Sequence, residues 1–238
     1  MQIKTIFLDV DEVLAKWVEA ALQAIDGFDG QPGTPCLHPD AVFAAWNALT
    51  PRPWDVCEVI PHTREQLWAA IHARGPFFWE ELELFPWAMK LYQRCSAVAP
   101  VVLLTSPSRD PSSFSGKSAW IRYHFPGCDF LIGSCKHRVA HPGAVLIDDS
   151  PKNCKAFRKA GGRAIVFPSV GNELHAMPGE ERVDYTLCRL SEAQPFDAPD
   201  ELTPEQAAGA WNRATPAARA QWLRDEIDVV ALYRSGDA

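Results

Sequence analysis

No stretch of this 238-residue sequence is apolar over anything near the roughly 20 residues that cross a bilayer, so no membrane span is expected. No C-x-x-C pair occurs among the seven cysteines, and their spacing is irregular. Neither a disulfide framework nor a structural zinc site is expected, and the thiols are read as free. Cations are in the minority: 23 Lys and Arg face 30 Asp and Glu, a formal charge of −7. A surface for a nucleic-acid polymer is built from clustered Lys and Arg, so that class is set aside. Internal repeats and low-complexity tracts are also lacking. The start lacks the length and flanks of a secretory signal: one Lys precedes a short apolar run that meets Asp9 and Asp11. It reads as the first strand of a cytoplasmic protein. What is present, 47% hydrophobic and 11% aromatic residues, suits a folded chain with one substantial core, with or without a small appended domain.

Four short β-branched runs, Ile3 to Leu8, Val101 to Leu104, Val145 to Ile147 and Ala164 to Phe167, alternate with segments of helical period. This is the pattern of a parallel sheet with crossover helices, and the expected class is α/β. Between the last two runs a helix is fully punctuated: Ser150 can cap it, Pro151 fits its first position, and Gly161-Gly162 stop it. That places Asp148 and Asp149 at a strand end. From the first strand to Val101 no convincing strand run occurs, but Thr63-Arg-Glu-Gln66 forms a capping box for a helix that stops at Gly75. A helical insertion is therefore expected over about residues 16–84, with loop at Gly27 to Pro39 and a break at Pro51-Arg-Pro53. Phe85-Pro86 introduces the next crossover helix. Five of the nine Trp, at 17, 46, 54, 68 and 79, fall in the insertion, a density that serves packing or a flat ligand. Near the C-terminus, Thr203-Pro204 and Thr215-Pro216 start two helices, expected to dock on the core or on a second subunit of a homodimer.

The strongest local feature is Phe7-Leu8-Asp9-Val10-Asp11-Glu12-Val13-Leu14-Ala15, two carboxylates two residues apart directly after a buried strand. Ligands of α/β sheets sit beyond the carboxyl ends of strands, so both acids face a cleft. A lone acid pair is often no more than an acidic strand-end loop. Here Thr105-Ser106, Lys136 and Asp148-Asp149 also fall at or just beyond strand ends. Clustered carboxylates suit Mg²⁺, and a hydroxyl and a cation suit phosphate oxygens. An aspartate attacking phosphorus needs its charge and that of the phosphate neutralised, and a second acid two residues on can move the proton. The cation is read as Lys136, with Arg138 as the alternative and Lys117 as a structural partner.

In order and residue type these motifs resemble the haloacid dehalogenase-like phosphatase superfamily. Val13-Leu-Ala15, Phe77-Phe78, Glu81 to Pro86, Leu104-Thr-Ser-Pro107, Lys117-x-x-Trp120 and Leu146-Ile-Asp-Asp149 look like its 5′(3′)-deoxyribonucleotidase branch and phage and bacterial relatives. The resemblance covers residues 3 to 150. It implies a modified Rossmann core with a helical cap inserted after the first motif; with the segments read above, the expected division is a core at 1–15 and 85–195, a cap at 16–84 and a C-terminal helical extension at 196–238. It further implies a Mg²⁺-dependent phosphomonoesterase of small molecules, with Asp9 as nucleophile and Asp11 as acid and base. The metal would be held by Asp9, the backbone carbonyl of Asp11, and either Asp148 or Asp149. Thr105, Ser106 and Lys136 would bind phosphate, and Trp17, with Trp54 and Phe78, would surround a nucleoside base. Glu12 stands where the family usually has Gly, and Lys16 where an acid is common. Rival readings are a phospho-receiver domain, a silent binding protein of the same fold, and a phosphatase of another small phosphometabolite. The receiver fits poorly, because its acceptor Asp lies on a central strand and its Lys on the last.

Overall fold

The computed structural model describes residues 2–29, 38–50 and 53–192, with the last four residues of the first stretch given by backbone only. The two helix starts at Thr203 and Thr215, and the extension that holds them, lie outside the described residues. Five strands, β1 (Thr5–Leu8), β2 (Val101–Thr105), β3 (Asp129–Ile132), β4 (Ala144–Asp148) and β5 (Arg163–Val166), form one sheet in the order β3-β2-β1-β4-β5. Every pairing is parallel, and Leu8 lies level with Leu103 on one side and Ile147 on the other. Strands buried on both faces carry continuous apolar runs, which is why β1, β2 and β4 read so plainly. Successive residues serve opposite faces: Ile6 and Leu8 enter the larger core, and Phe7 joins Leu104, Leu146 and Phe157 on the other side.

Eight α-helices accompany the sheet among the described residues: α1 (Trp17–Asp29), α2 (Pro39–Asn47), α3 (Arg64–Ala73), α4 (Pro76–Glu80), α5 (Ala88–Ser96), α6 (Ser112–His124), α7 (Pro151–Lys159) and α8 (Gly179–Glu192). The capping box at α3 is complete: the Thr63 N–H donates to Gln66 Oε1 at 2.8 Å, and the Gln66 N–H to Thr63 Oγ1 at 3.2 Å. At α7, Ser150 Oγ accepts from the Asn153 N–H at 3.4 Å, Pro151 opens the helix, and Gly161 follows it with a φ of 95°. One expectation fails: the loop read from Gly27 onward begins later, because α1 continues through Asp29. Gly75 does more than stop α3, since its φ of 57° reverses the chain directly into Pro76 at the head of α4.

The chain leaves the sheet and returns to it side by side. The Lys16 N–H donates to the Glu83 carbonyl at 2.9 Å and the Phe85 N–H to the Leu14 carbonyl at 2.8 Å. Lys16 Nζ adds an ion pair to Glu83 at 2.9 Å. Helices α1 to α4 thus hang from a two-strand neck beside the carboxyl end of β1. Helix α4 lies so close on α6 that a β carbon at Gly116 would stand 2.6 Å from Trp79 Cβ. Six cysteines of the described residues are free thiols, and none of the described helices is long and apolar enough to cross a membrane.

Candidate functional site

Strand β1 is the centre of the sheet and the point at which the strand order reverses, so a crevice opens beyond its carboxyl end. Asp9 and Asp11 stand there. The Asp9 N–H is held by the Ile147 carbonyl at 2.9 Å, and Asp9 Oδ1 accepts from the Val10 N–H at 2.8 Å. Asp148 ends β4 and Asp149 follows it. Asp9, Asp148 and Asp149 are buried and offer carboxylate oxygens within 4.8 Å of one another. Lys136, carried on a 3₁₀ turn (Lys136–Val139) between β3 and β4, reaches Asp9 Oδ1 and Asp148 Oδ2, each at 2.6 Å. Arg138 on the same turn is exposed.

Three carboxyl groups around one ammonium leave an uncompensated negative charge. Burial pushes the Asp9 carboxyl up to about 7, against the pull of Lys136 and with the push of Asp148. Asp149 is raised well above the usual carboxylate range by burial, then by Asp148 and Asp9. Burial alone would lower Lys136, but Asp9 and Asp148 outweigh it and hold the ammonium charged. The two carboxyls of the last pair differ in surroundings. Asp148 is fully enclosed, its Oδ1 accepting from the Ser150 N–H at 2.9 Å and from Asn153 Nδ2 at 3.1 Å. Asp149 faces the cavity, with Ser169 Oγ at 3.4 Å from its Oδ2 and Asn172 Nδ2 donating to its backbone carbonyl at 2.9 Å.

Asp11 lies outside that side-chain cluster. Its Oδ2 is paired with Lys117 of α6, and its Oδ1 is buried without a hydrogen-bond partner. Lys117 Nζ also donates to Thr105 Oγ1 at 3.0 Å and lies 4.7 Å from the Trp79 ring centre. Thr105 is therefore fully buried behind the lysine, and the neighbouring Ser106 is the residue that reaches the cavity wall.

The cavity has a volume of about 930 Å³. All five tryptophans between α1 and α4, at 17, 46, 54, 68 and 79, line it together with Asp9, Asp11, Lys136 and Asp149. Trp17 and Trp68 have ring centres 5.9 Å apart, and Trp68 lies 5.7 Å from His72, so three rings run along one wall. Trp54, 47% exposed, packs against Gly171 of the loop after β5, where a β carbon would stand 3.3 Å from its ring. The expectation for Phe78 is corrected. Its ring is 2% exposed, packs edge-on to Trp79 at 4.9 Å and does not border the cavity. Adjacent residues of a helix point about 100° apart, so Trp79 faces inward and Phe78 does not.

Sequence reasoning missed Asn153, Ser169 and Asn172. Asn153 sits one helical turn beyond the acid pair, a spacing that could have been read. Ser169 and Asn172 reach Asp149 only because β5 returns beside β4.

Residues 2–185 match the model of the family described as 5′ nucleotidase, deoxy (Pyrimidine), cytosolic type C protein. The chain belongs to that family. Two strains of Staphylococcus aureus, MSSA476 and MW2, each have a protein named "Putative 5′(3′)-deoxyribonucleotidase" that is 29% identical over 102 residues, 42% of this chain and 54% of the relative. The chain thus spans about half the length of the curated relatives it matches. A haloacid dehalogenase-like hydrolase from Streptococcus pneumoniae is similar at 17% identity, with 79% of this chain and 98% of that chain covered, at a TM-score of 0.49. A haloacid dehalogenase family enzyme from Bacteroides thetaiotaomicron, solved with magnesium and inorganic phosphate, is 16% identical over 72% and 96% of the two chains, at a TM-score of 0.39. In this nucleotidase family member, residues from all four sequence motifs line one cavity.

Proposed function

We propose that the protein is a Mg²⁺-dependent phosphomonoesterase that acts through an aspartyl phosphate, with a nucleoside 5′- or 3′-monophosphate as substrate. The observation that carries the reading is the convergence of Asp9, Asp11, Lys136 and Asp149 on a cavity that five indoles also line. Family membership supports phosphoryl chemistry on a nucleotide. The donor set fits the metal: three buried carboxyl groups offer oxygens within 4.8 Å of one another, and Lys136 alone does not balance them. Asp9 and Asp149 would hold the ion from the cavity side, with Asp148 beside them. Bound there, Mg²⁺ would neutralise charge on the phosphate oxygens and on Asp9.

In this reading the remaining steps fall to the chain's own residues. A carboxylate oxygen of Asp9 attacks phosphorus, and the bond from phosphorus to the ester oxygen breaks. Asp11, with one oxygen fixed by Lys117 and the other without a hydrogen-bond partner, gives its proton to the departing alkoxide. Water then attacks the aspartyl phosphate and passes a proton to Asp11, which releases inorganic phosphate and restores Asp9. Lys136 stabilises negative charge throughout, and Ser106 offers its hydroxyl to phosphate, with Thr105 fixing Lys117 behind it. Trp17, Trp68 and Trp54 supply flat faces for the base, each stack worth about 1–3 kcal/mol.

We place residues 16–84 as a cap on a core of 1–15 and 85–195, with 196–238 as a C-terminal extension, and a homodimer as the assembly. A cytoplasmic setting suits the free thiols. The test is a panel of nucleoside monophosphates, sugar phosphates and p-nitrophenyl phosphate, with Mg²⁺ and with EDTA. Turnover of nucleotides that needs Mg²⁺ and is lost in Asp9→Asn is the expected result. Metal-independent turnover, or more than about 5% of wild-type activity in Asp9→Asn, would overturn the mechanism, since an amide is no nucleophile at phosphorus. A preference for sugar phosphates would overturn the substrate class alone.

A further inference from the structure

We propose that Glu12 is a positioning residue for substrate binding. Its carboxyl group ties the turn that carries Asp11 to the start of α1 and so fixes Trp17 in the cavity wall. The proposal deepens the reading above and rests on it for the nature of the substrate.

Among the described residues, Glu12 is the one residue other than glycine with φ in the left-handed region, at 59°. A β carbon is disfavoured there, whereas glycine enters freely. The turn is nonetheless tightly closed. The Glu12 N–H donates to the Ala15 carbonyl at 2.9 Å, and those of Leu14 and Ala15 to the Val10 carbonyl at 2.8 and 2.9 Å. Trp87 Nε1 holds the Val13 carbonyl at 3.1 Å. With the backbone so constrained, the side chain of residue 12 is buried at 8% exposure, and its Oε1 accepts from the Val18 N–H at 2.9 Å.

Val18 is the second residue of α1, and the first N–H groups of a helix have no acceptor within it. The residue before the helix, Lys16, has no side-chain acceptor to offer, and its ammonium is engaged by Glu83. Glu12 therefore does from across the turn what a Ser or Asp would do at the helix start. Trp17 is the neighbour of Val18, as Asp11 is the neighbour of Glu12. One side chain links the proposed acid–base residue to the aromatic row of Trp17, Trp68 and His72. Glycine at position 12 would relax the backbone and leave no such link.

The variants are Glu12→Gly, Glu12→Gln, Trp17→Ala and the double Glu12→Gly/Trp17→Ala. They are compared by amide hydrogen exchange of residues 16–20 and by steady-state kinetics with Mg²⁺ on thymidine 5′-monophosphate and p-nitrophenyl phosphate. Glu12→Gly should exchange faster over residues 17–20 and raise KM for the nucleotide about fivefold, the equivalent of one lost capping acceptor. For p-nitrophenyl phosphate the rise should stay under about twofold, because that ester makes no use of a base platform. Glu12→Gln keeps a carbonyl acceptor and should return both exchange and KM to wild-type values. In the Trp17→Ala background Glu12→Gly should add nothing to KM. Wild-type exchange and KM in Glu12→Gly, or equal losses on both esters, would overturn the proposal. A nucleotide KM indifferent to Trp17→Ala would overturn the substrate reading instead, and the exchange data alone would then decide whether Glu12 holds the helix.

Discussion

Replacing Lys136 with Met removes the one ammonium that Asp9 and Asp148 share while keeping a side chain of similar length. Lys136 is 4% exposed and lies 2.6 Å from each acid, so its loss leaves both carboxyls enclosed without their cation. Removing one partner of a buried pair costs about 3–5 kcal/mol. For a chain of this size each kcal/mol moves Tm by about 2–4 °C, so a fall of about 6–20 °C is expected in EDTA at pH 8. The acids can offset part of that loss by taking up protons, so the fall should shrink toward pH 5. Mg²⁺ should also recover part of it, since a divalent cation supplies the missing charge. In kinetics, loss of one preorganised positive group should lower kcat by about 10²–10³-fold. Calorimetry in EDTA and in Mg²⁺, with kinetics on the substrate selected by the panel, gives all three readings. A Tm within about 2 °C of wild type in EDTA at pH 8, or a kcat within about tenfold, would refute the reasoning.

Two further outcomes follow from the buried acids and the helix contact. Burial raises Asp9 from 3.8 to about 7 and Glu12 from 4.5 to about 8, so between those values the folded chain keeps protons that the unfolded chain releases. Stability of the metal-free protein should therefore fall as pH rises from about 4 to 8. A flat or rising Tm across this range in EDTA would contradict the assignment. Gly116→Ala places a β carbon 2.6 Å from Trp79 Cβ, and overpacking of this kind costs about 1–3 kcal/mol. Thermal unfolding should show a Tm lower by about 2–12 °C. An unchanged value would mean that α4 does not lie against α6 as described.

The sheet was the most legible part of the chain. Strands β1, β2 and β4 are short apolar runs because both of their faces are covered, and a buried polar residue, Asp9, Thr105 or Asp148, closes each run at the carboxyl end of the sheet. Thr63, Gln66, Ser150 and Pro151 were legible for a related reason: helix ends leave backbone groups unsatisfied, and only a few residue types at fixed offsets satisfy them. The run through Gly27 was misread because a glycine weakens a helix without ending it when the rest of the segment packs.

Which tryptophans face the cavity was not legible, because helical period gives the direction of a face and not what it meets. Phe78 and Trp79 are neighbours in the chain and equally buried, each 2% exposed, yet only Trp79 borders the cavity. The partners of the acids were equally hidden: Lys117 is 106 residues from Asp11, and Asn172 is 23 from Asp149. By itself the sequence determined the class of fold, the strand ends and the four polar groups that chemistry at phosphorus requires, since each follows from local pattern. Tertiary structure alone decided that Lys136 and not Arg138 reaches Asp9, that Asp149 and not Asp148 faces the cavity, and that five indoles line that cavity. Those outcomes depend on how β4 aligns with β1 and how the insertion folds back over the sheet, which are long-range contacts that no window of sequence contains.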